Sequence, residues 1–188
     1  MKKRMKITFN APIILGFTAI SFALIMLDFL TNGTSTHELM ISSEVSFTSP
    51  MTYIRLLTHV FCHADWEHFI GNIMYILLLG PMLEEKYSSV RVLEVIVITA
   101  FITGLIHILF FENALLCGAS GVCFAFILLA SFTNFGEGEI PLTFIIVAVI
   151  YIGQQIHSGL FLQDNISNMS HILGGIIGSV AGYILNKK

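Results

Sequence analysis

Six apolar segments, most of them near the length that crosses a bilayer, occupy the greater part of this chain of 188 residues. They run roughly over 12–30, 66–83, 91–111, 119–133, 140–161 and 170–185. A spanning helix needs about 20 apolar residues, because a hydrocarbon core of ~30 Å is climbed at ~1.5 Å per residue. Strand-like alternation is absent, as are long repeats and low-complexity tracts. The pattern predicts an all-α, polytopic membrane protein with six transmembrane helices packed as one bundle. Composition agrees: 55% of residues are hydrophobic and only 11% charged, well away from soluble averages. The net charge of −3, without a basic stripe, points away from nucleic acid as a partner and leaves the lipid bilayer as the medium.

Charge also orients the bundle. Lys2, Lys3, Arg4 and Lys6 precede the first segment, Lys86 and Arg91 flank the second loop, and Lys187 and Lys188 close the chain. With both termini in the cytoplasm, eight of the nine basic residues face inward and only Arg55 faces out, as the positive-inside rule requires. The first segment is too long for the apolar core of a signal peptide and no small-x-small cleavage site follows Leu30, so a retained anchor is expected. The expected organisation is a cytoplasmic segment over 1–11, a membrane domain over 12–186 and a short tail at 187–188, in the plasma membrane. The longest connection, 31–65, lies outside, and its mixed apolar run from Val45 to Phe61 suits the membrane interface, with Trp66 near the same boundary.

One segment is too short. From Ser120 to the polar Asn134 is ~21 Å of helix, so Ser120 falls below the outer surface of a ~30 Å core. Non-helical backbone at that depth is tolerated only where it is buried in protein or lines a watery cavity. Asn72, ~18 Å of helix above Glu84, and His171, ~24 Å above Lys187, fall in the same layer. Three segments thus bring Ser, His and Asn to one depth beside water, the parts of a hydrolytic site.

A serine hydroxyl attacks a peptide carbonyl when a base takes its proton and donors hold the developing oxyanion. His171 has the right basicity. His171, Gly174, Gly178 and Gly182 stand at i, i+3, i+7 and i+11 and share one helix face, and small residues at that spacing let membrane helices approach closely. If that face packs on the 119–133 helix, His171 is held against Ser120. Asn72 and the Ser120 backbone amide, at a helix start, are candidate oxyanion donors. No carboxylate occurs at the matching depth, so a Ser-His dyad is expected, with no cofactor and no metal. A metal or haem site is the competing reading, since His59, Cys62, His63, Glu67 and His68 cluster in ten residues, but HExxH and CxxC are both absent. Gln154, Gln155 and His157 make the outer half of the fifth segment polar. They suit freed backbone groups of an unwound substrate, or packing against neighbouring helices.

From Arg55 onward the chain resembles the rhomboid intramembrane serine proteases. The run Arg55-Leu56-Leu57-Thr58, then Phe61 and His63, then His68 and Asn72, is similar to that family's first signature. Leu79-Gly80 with Leu83-Glu84 resembles its second-helix pattern, Gly118-Ala119-Ser120-Gly121 its nucleophile motif, and His171 with Gly174 and Gly178 its sixth-helix motif. The resemblance implies a six-helix endopeptidase that cleaves transmembrane protein substrates and opens to the outer side. Ser120 would be the nucleophile and His171 the general base, with Asn72, the Ser120 amide and His68 lining the oxyanion hole. His63 would hold the first outer loop, and Glu84 would be a structural carboxylate at the inner end. A catalytically inactive, rhomboid-like adaptor that binds membrane helices is the alternative within the same family. Three departures stand out: the first outer loop lacks a Trp-Arg pair, Ser170 precedes His171 where a small apolar residue is usual, and Phe124 replaces a tyrosine that backs the histidine.

Overall fold

The computed structural model describes residues 8–42, 45–111, 114–133, 139–161 and 165–187. Lys2, Lys3, Arg4, Lys6, Asn134, Glu137 and Lys188, on which the charge and depth readings partly rest, lie outside them. The described residues form α1 (Pro12–Leu30), α2 (Thr34–Leu39), α3 (Pro50–Thr58), α4 (Trp66–Tyr87), α5 (Ser89–Phe110), α6 (Ser120–Ala130), α7 (Leu142–Phe161) and α8 (Asn165–Asn186). A tight helical turn, His59–Phe61, follows α3. Two short strands, β1 (Ile41–Ser42) and β2 (Leu115–Leu116), pair antiparallel with Ile41 opposite Leu116.

Among the described residues, three helices qualify as full spans. By length and apolarity, α1, α5 and the Asn168–Asn186 part of α8 do. Helix α6 (Ser120–Ala130) is shorter, and α4 carries Glu67 in its first turn and Glu84, Glu85 and Lys86 near its end. Residues such as Leu78 (74% exposed), Phe110 (70%) and Ile184 (61%) nevertheless turn outward, where a lipid environment stabilises them and water would not. The chain is an integral membrane protein.

The short helix is the central one. Every residue of α6 is buried or half-buried, with Val122, Ala125, Phe126 and Leu129 fully enclosed in the core shared with α1, α4 and α5. Its most extensive neighbour is α8. A Cβ on Gly174 would strike the Gly121 carbonyl and one on Gly178 the Ala125 carbonyl, while one on Gly182 would come within 2.6 Å of the Phe132 ring. The glycine face therefore packs on α6 backbone to backbone. Gly121 returns the contact from the other side, lying under the Ser170 carbonyl and the Thr103 and Thr99 methyls.

Boundaries differ most from the sequence reading in two places. Helix α4 continues through Pro81 to Tyr87, and only Ser88, at φ 79°, separates it from α5. Helix α8 starts at Asn165, so His171 lies inside its second turn and not at its start. The strand pair escaped the sequence reading because two residues carry no periodicity.

Glu84, in the last turn of α4, is nevertheless buried at 4% exposure. Its carboxylate accepts from the Ile13 and Ile14 amides, both at 3.1 Å, and from the Ser89 hydroxyl at 2.6 Å. The N-cap of α1 is Ala11, which supplies no side-chain cap, so Glu84 satisfies the amides that a helix start leaves open. One carboxylate thereby joins α1, α4 and α5. Glu84→Ala should lower the stability of the purified protein by about 2 kcal/mol, with a smaller loss in Glu84→Gln, which keeps one acceptor. An unchanged Tm in the alanine variant would show that the cap carries no weight.

Candidate active site

Helix α6 begins at Ser120 because the chain turns sharply just before it. Gly118 has φ +112°, a conformation open to glycine and strained for other residues. A Cβ there would also come within 2.6 Å of the His68 Nε2 and Cε1 atoms. The turn is anchored by the Gly118 amide, which donates to the His59 carbonyl at 3.0 Å, and by the β1–β2 pair just upstream. His59 is itself buried, with Nδ1 on the Arg55 carbonyl at 3.1 Å and Nε2 3.4 Å from the Thr103 hydroxyl. Ala119, the residue before α6, offers no side-chain cap, so the first amides of this helix point toward whatever lies before Ser120.

What lies there is an open cavity of about 640 Å3 between α4, α6, α7 and α8. Ser120, His171, Asn72 and His68 all line it, together with Tyr75, Ile127, Val147, Ile150, Tyr151 and Gln154. The three residues that the sequence brings to one depth, Ser120, His171 and Asn72, therefore share one chamber with His68.

Each has a defined orientation. The His171 ring packs on Phe124, centroids 4.3 Å apart, and its Nδ1 lies 2.9 Å from Gln155 Oε1. Phe124 stacks in turn on Tyr151 at 4.4 Å, so α7 helps to support the ring where Phe124 lacks a hydroxyl. Asn72 is buried, and the Cys123 thiol donates to its carbonyl at 3.3 Å with Oδ1 at 3.6 Å. A thiol beside Oδ1 turns the amide nitrogen the other way. That nitrogen, Nδ2, is buried without a hydrogen-bond partner among the described residues. An unpaired buried donor is costly unless a ligand or water completes it. His68 Nδ1 accepts from the Ala64 amide at 3.5 Å, which puts the ring proton on Nε2, the nitrogen that faces Gly118.

His63 and Glu84 stand apart from the cavity. His63 is buried behind His68, edge-on to its ring at 5.2 Å and to Phe69 at 5.4 Å. Neither of its nitrogens has a hydrogen bond of good geometry. Burial, and next the neighbouring His68, push its pKa down from 6.5 to about 4, with the Phe61 carbonyl and Asp65 offsetting only part. Burial likewise takes His59 down to about 4. The i, i+4 spacing of His59 and His63 does not fall on one helix, since the helical turn ends at Phe61. Among the described residues no group of three His, Cys, Asp or Glu side chains is placed to hold a metal ion. Cys62, Cys117 and Cys123 are free thiols. Sequence reasoning missed Gln155, Tyr151, Cys123 and His59 as supports of the site. The one signal available was the cost of polar side chains in apolar helices.

The Rhomboid domain family matches residues 50–188, the stretch that carries every element of the cavity. The chain is 27% identical over 137 residues to RHOMBOID-like protein 7 of Arabidopsis thaliana, covering 70% of this chain and 42% of that protein. It is 29% identical over 141 residues to Rhomboid-related protein 1 of Caenorhabditis elegans, covering 70% and 39%. With Rhomboid protease GlpG of Haemophilus influenzae it shares 26% over 136 residues, 71% of this chain and 70% of that one. This chain belongs to the rhomboid family. It spans about two-fifths of the length of the first two relatives.

Gly178→Leu should disrupt the chamber without touching any of its polar atoms, because the added side chain must displace the Ala125 carbonyl. Overpacking of this kind costs about 1–3 kcal/mol or more, read as a lower Tm; a fully stable variant would contradict the backbone contact. His63 gives a pH test. The unfolded chain binds a proton near 6.5 and the folded chain only near 4, so the stability held by neutral His63 is complete above 6.5 and is lost as pH falls toward 4. His63→Phe keeps the ring contacts and should flatten the acid decline by up to about 1.4 kcal/mol per pH unit. Some slope should remain, from His59. Tm measured from pH 7 to 4 reads it, and parallel curves would contradict the shift.

Proposed function

We propose that this protein is an intramembrane serine endopeptidase that cleaves transmembrane or juxtamembrane segments of membrane proteins, with Ser120 as nucleophile and His171 as general base. The observation that carries the reading is the shared chamber: a serine at a helix start, a histidine whose Nδ1 is engaged, and a buried amide donor, Asn72 Nδ2, with no acceptor among the described residues. In the proposed reaction His171 Nε2 takes the Ser120 hydroxyl proton as Oγ adds to the scissile carbonyl carbon. The oxyanion is held by Asn72 Nδ2, the Ser120 amide and His68 Nε2–H. His171 then gives the proton to the leaving amine as the C–N bond breaks, leaving an acyl ester on Ser120. Water, deprotonated by His171, adds to the ester; the carboxyl product leaves and the serine is restored. No cofactor or metal enters. Gly118, Gly121, Gly174 and Gly178 serve by close approach, His63 by backing the His68 ring, and Glu84 by joining three helices.

The same reading keeps six membrane crossings, with α6 as a short one enclosed by its neighbours. Both termini lie in the cytoplasm of a plasma-membrane protein, and the chamber opens to the outer side. What supports this is the distribution of eight of nine basic residues on one side. Substrates are then membrane helices that must unwind before attack, since a helix hides its carbonyls in internal hydrogen bonds. Small residues at the cut, and glycine or proline just after it, should favour cleavage.

Ser120→Ala and His171→Ala should each abolish proteolysis by the reconstituted protein while leaving it folded. Asn72→Ala should retain residual activity, with kcat lower by ~10²–10³ and KM little changed, as for loss of one oxyanion donor. Normal turnover by folded Ser120→Ala would end the protease reading, and an inactive wild type that still binds membrane helices would favour an adaptor. Mass spectrometry of the products should place the cuts near the outer end of the substrate's membrane segment; consistent cuts at the cytoplasmic end would contradict the orientation.

A further inference from the structure

We infer that Gln155 is the positioning residue of the general base, fixing His171 in the tautomer whose Nε2 is basic. This inference rests on the protease reading given above. Gln155 is 4% exposed, and its Oε1 lies 2.9 Å from His171 Nδ1. A neutral imidazole carries a single N–H. If Nδ1–H donates to the carboxamide oxygen, the lone pair stands on Nε2, the nitrogen assigned to the Ser120 proton. The oxygen and nitrogen of a glutamine are told apart by their partners, and only Oε1 toward Nδ1 leaves Nε2 as a base.

The surroundings make Gln155 more than a chance neighbour. Tyr151 and Gln155 are one helical turn apart on α7 and both are buried, whereas Gln154 is exposed and lines the cavity. Tyr151 packs closely on α8, where a Cβ on Gly175 would come within 2.8 Å of its ring. Tyr151 also stacks on Phe124, and Phe124 on His171. The imidazole is therefore held by a ring face from α6 and a polar acceptor from α7. An amide suits this place because it fixes the tautomer without carrying a charge. A carboxylate in the same position would meet the desolvation cost of the membrane interior. It would also bias His171 toward the protonated form, which cannot act as base. A third residue is thus present in the site, but as an uncharged acceptor.

The titratable groups sharing the cavity with His171 are Glu67, His68 and Tyr75 of α4, Cys123 of α6 and Tyr151 of α7; none is changed in the test. The reconstituted full chain, wild type, Gln155→Met and Gln155→Glu, would be assayed for cleavage across pH. Methionine preserves the volume and removes the acceptor: kcat should fall about 10–100-fold, part of the ~10²–10⁴ that a positioned base supplies, with KM within about twofold of wild type. Glutamate restores an acceptor and should return activity, with the acidic limb of the kcat/KM profile moved up by about one pH unit. A merely structural glutamine would not move that limb. In parallel, the ring 15N shifts of histidine-labelled wild type, assigned by loss in His171→Ala, should report Nδ1–H for His171. An Nε2–H tautomer in wild type would overturn the inference, as would kcat and pH profiles of both variants that match wild type. If the wild type itself fails to cleave, the protease reading fails, and the 15N shifts still decide the tautomer.

Discussion

The contact between α6 and α8 decides the rest of this structure. Two helices touch backbone to backbone only where side chains are missing from one face, and Gly174 and Gly178 leave room for the Gly121 and Ala125 carbonyls. Apolar side chains cannot drive such an approach in lipid, where the surrounding tails are as apolar as the helices; close van der Waals packing can. The contact has two consequences. It lets α6 stay short, because an enclosed helix has no lipid-facing length to match. It also sets the distance from the start of α6 to the second turn of α8, and thus from Ser120 to His171.

The remaining elements hold that geometry from its two ends. At one end the Gly118 turn is tied to the His59 carbonyl and flanked by the β1–β2 pair, so the segment from 31 to 65 reaches the loop that presents Ser120. At the other end Glu84 caps α1 and receives Ser89, fixing α1, α4 and α5 to one another. Asn72 sits between, on the same helix as Glu84 and braced by Cys123 of α6. Helix α7 contributes Tyr151, which packs on Phe124, and Gln155, which meets His171 Nδ1. In the proposed chemistry the glycine contact positions the base and α7 sets its protonation.

Sequence reasoning reaches the parts of this molecule that follow from periodicity and length. The glycine stripe on one helix face, the shortness of the Ser120 segment and the common layer of Ser120, His171 and Asn72 all follow from spacing along single helices. These residues do meet in one cavity. Contacts between segments distant in the chain follow no such rule. Nothing in the sequence pairs Glu84 with the amides of Ile13 and Ile14, seventy positions away, or His171 with Gln155 on the preceding helix. The sequence alone does not separate the enclosed α6 from the lipid-facing helices. Apolar composition registers burial by protein and burial by lipid alike, and α6 is buried by protein.

In the proposed mechanism Ser120 is made nucleophilic by His171 inside this chamber. The most direct measurement is labelling of the membrane-embedded protein by a serine-directed fluorophosphonate, with the modified residue identified by mass spectrometry. A single adduct is expected on Ser120, absent in Ser120→Ala and greatly slowed in His171→Ala. No adduct on folded wild type, or an adduct on another serine, or equal labelling without His171, would contradict it.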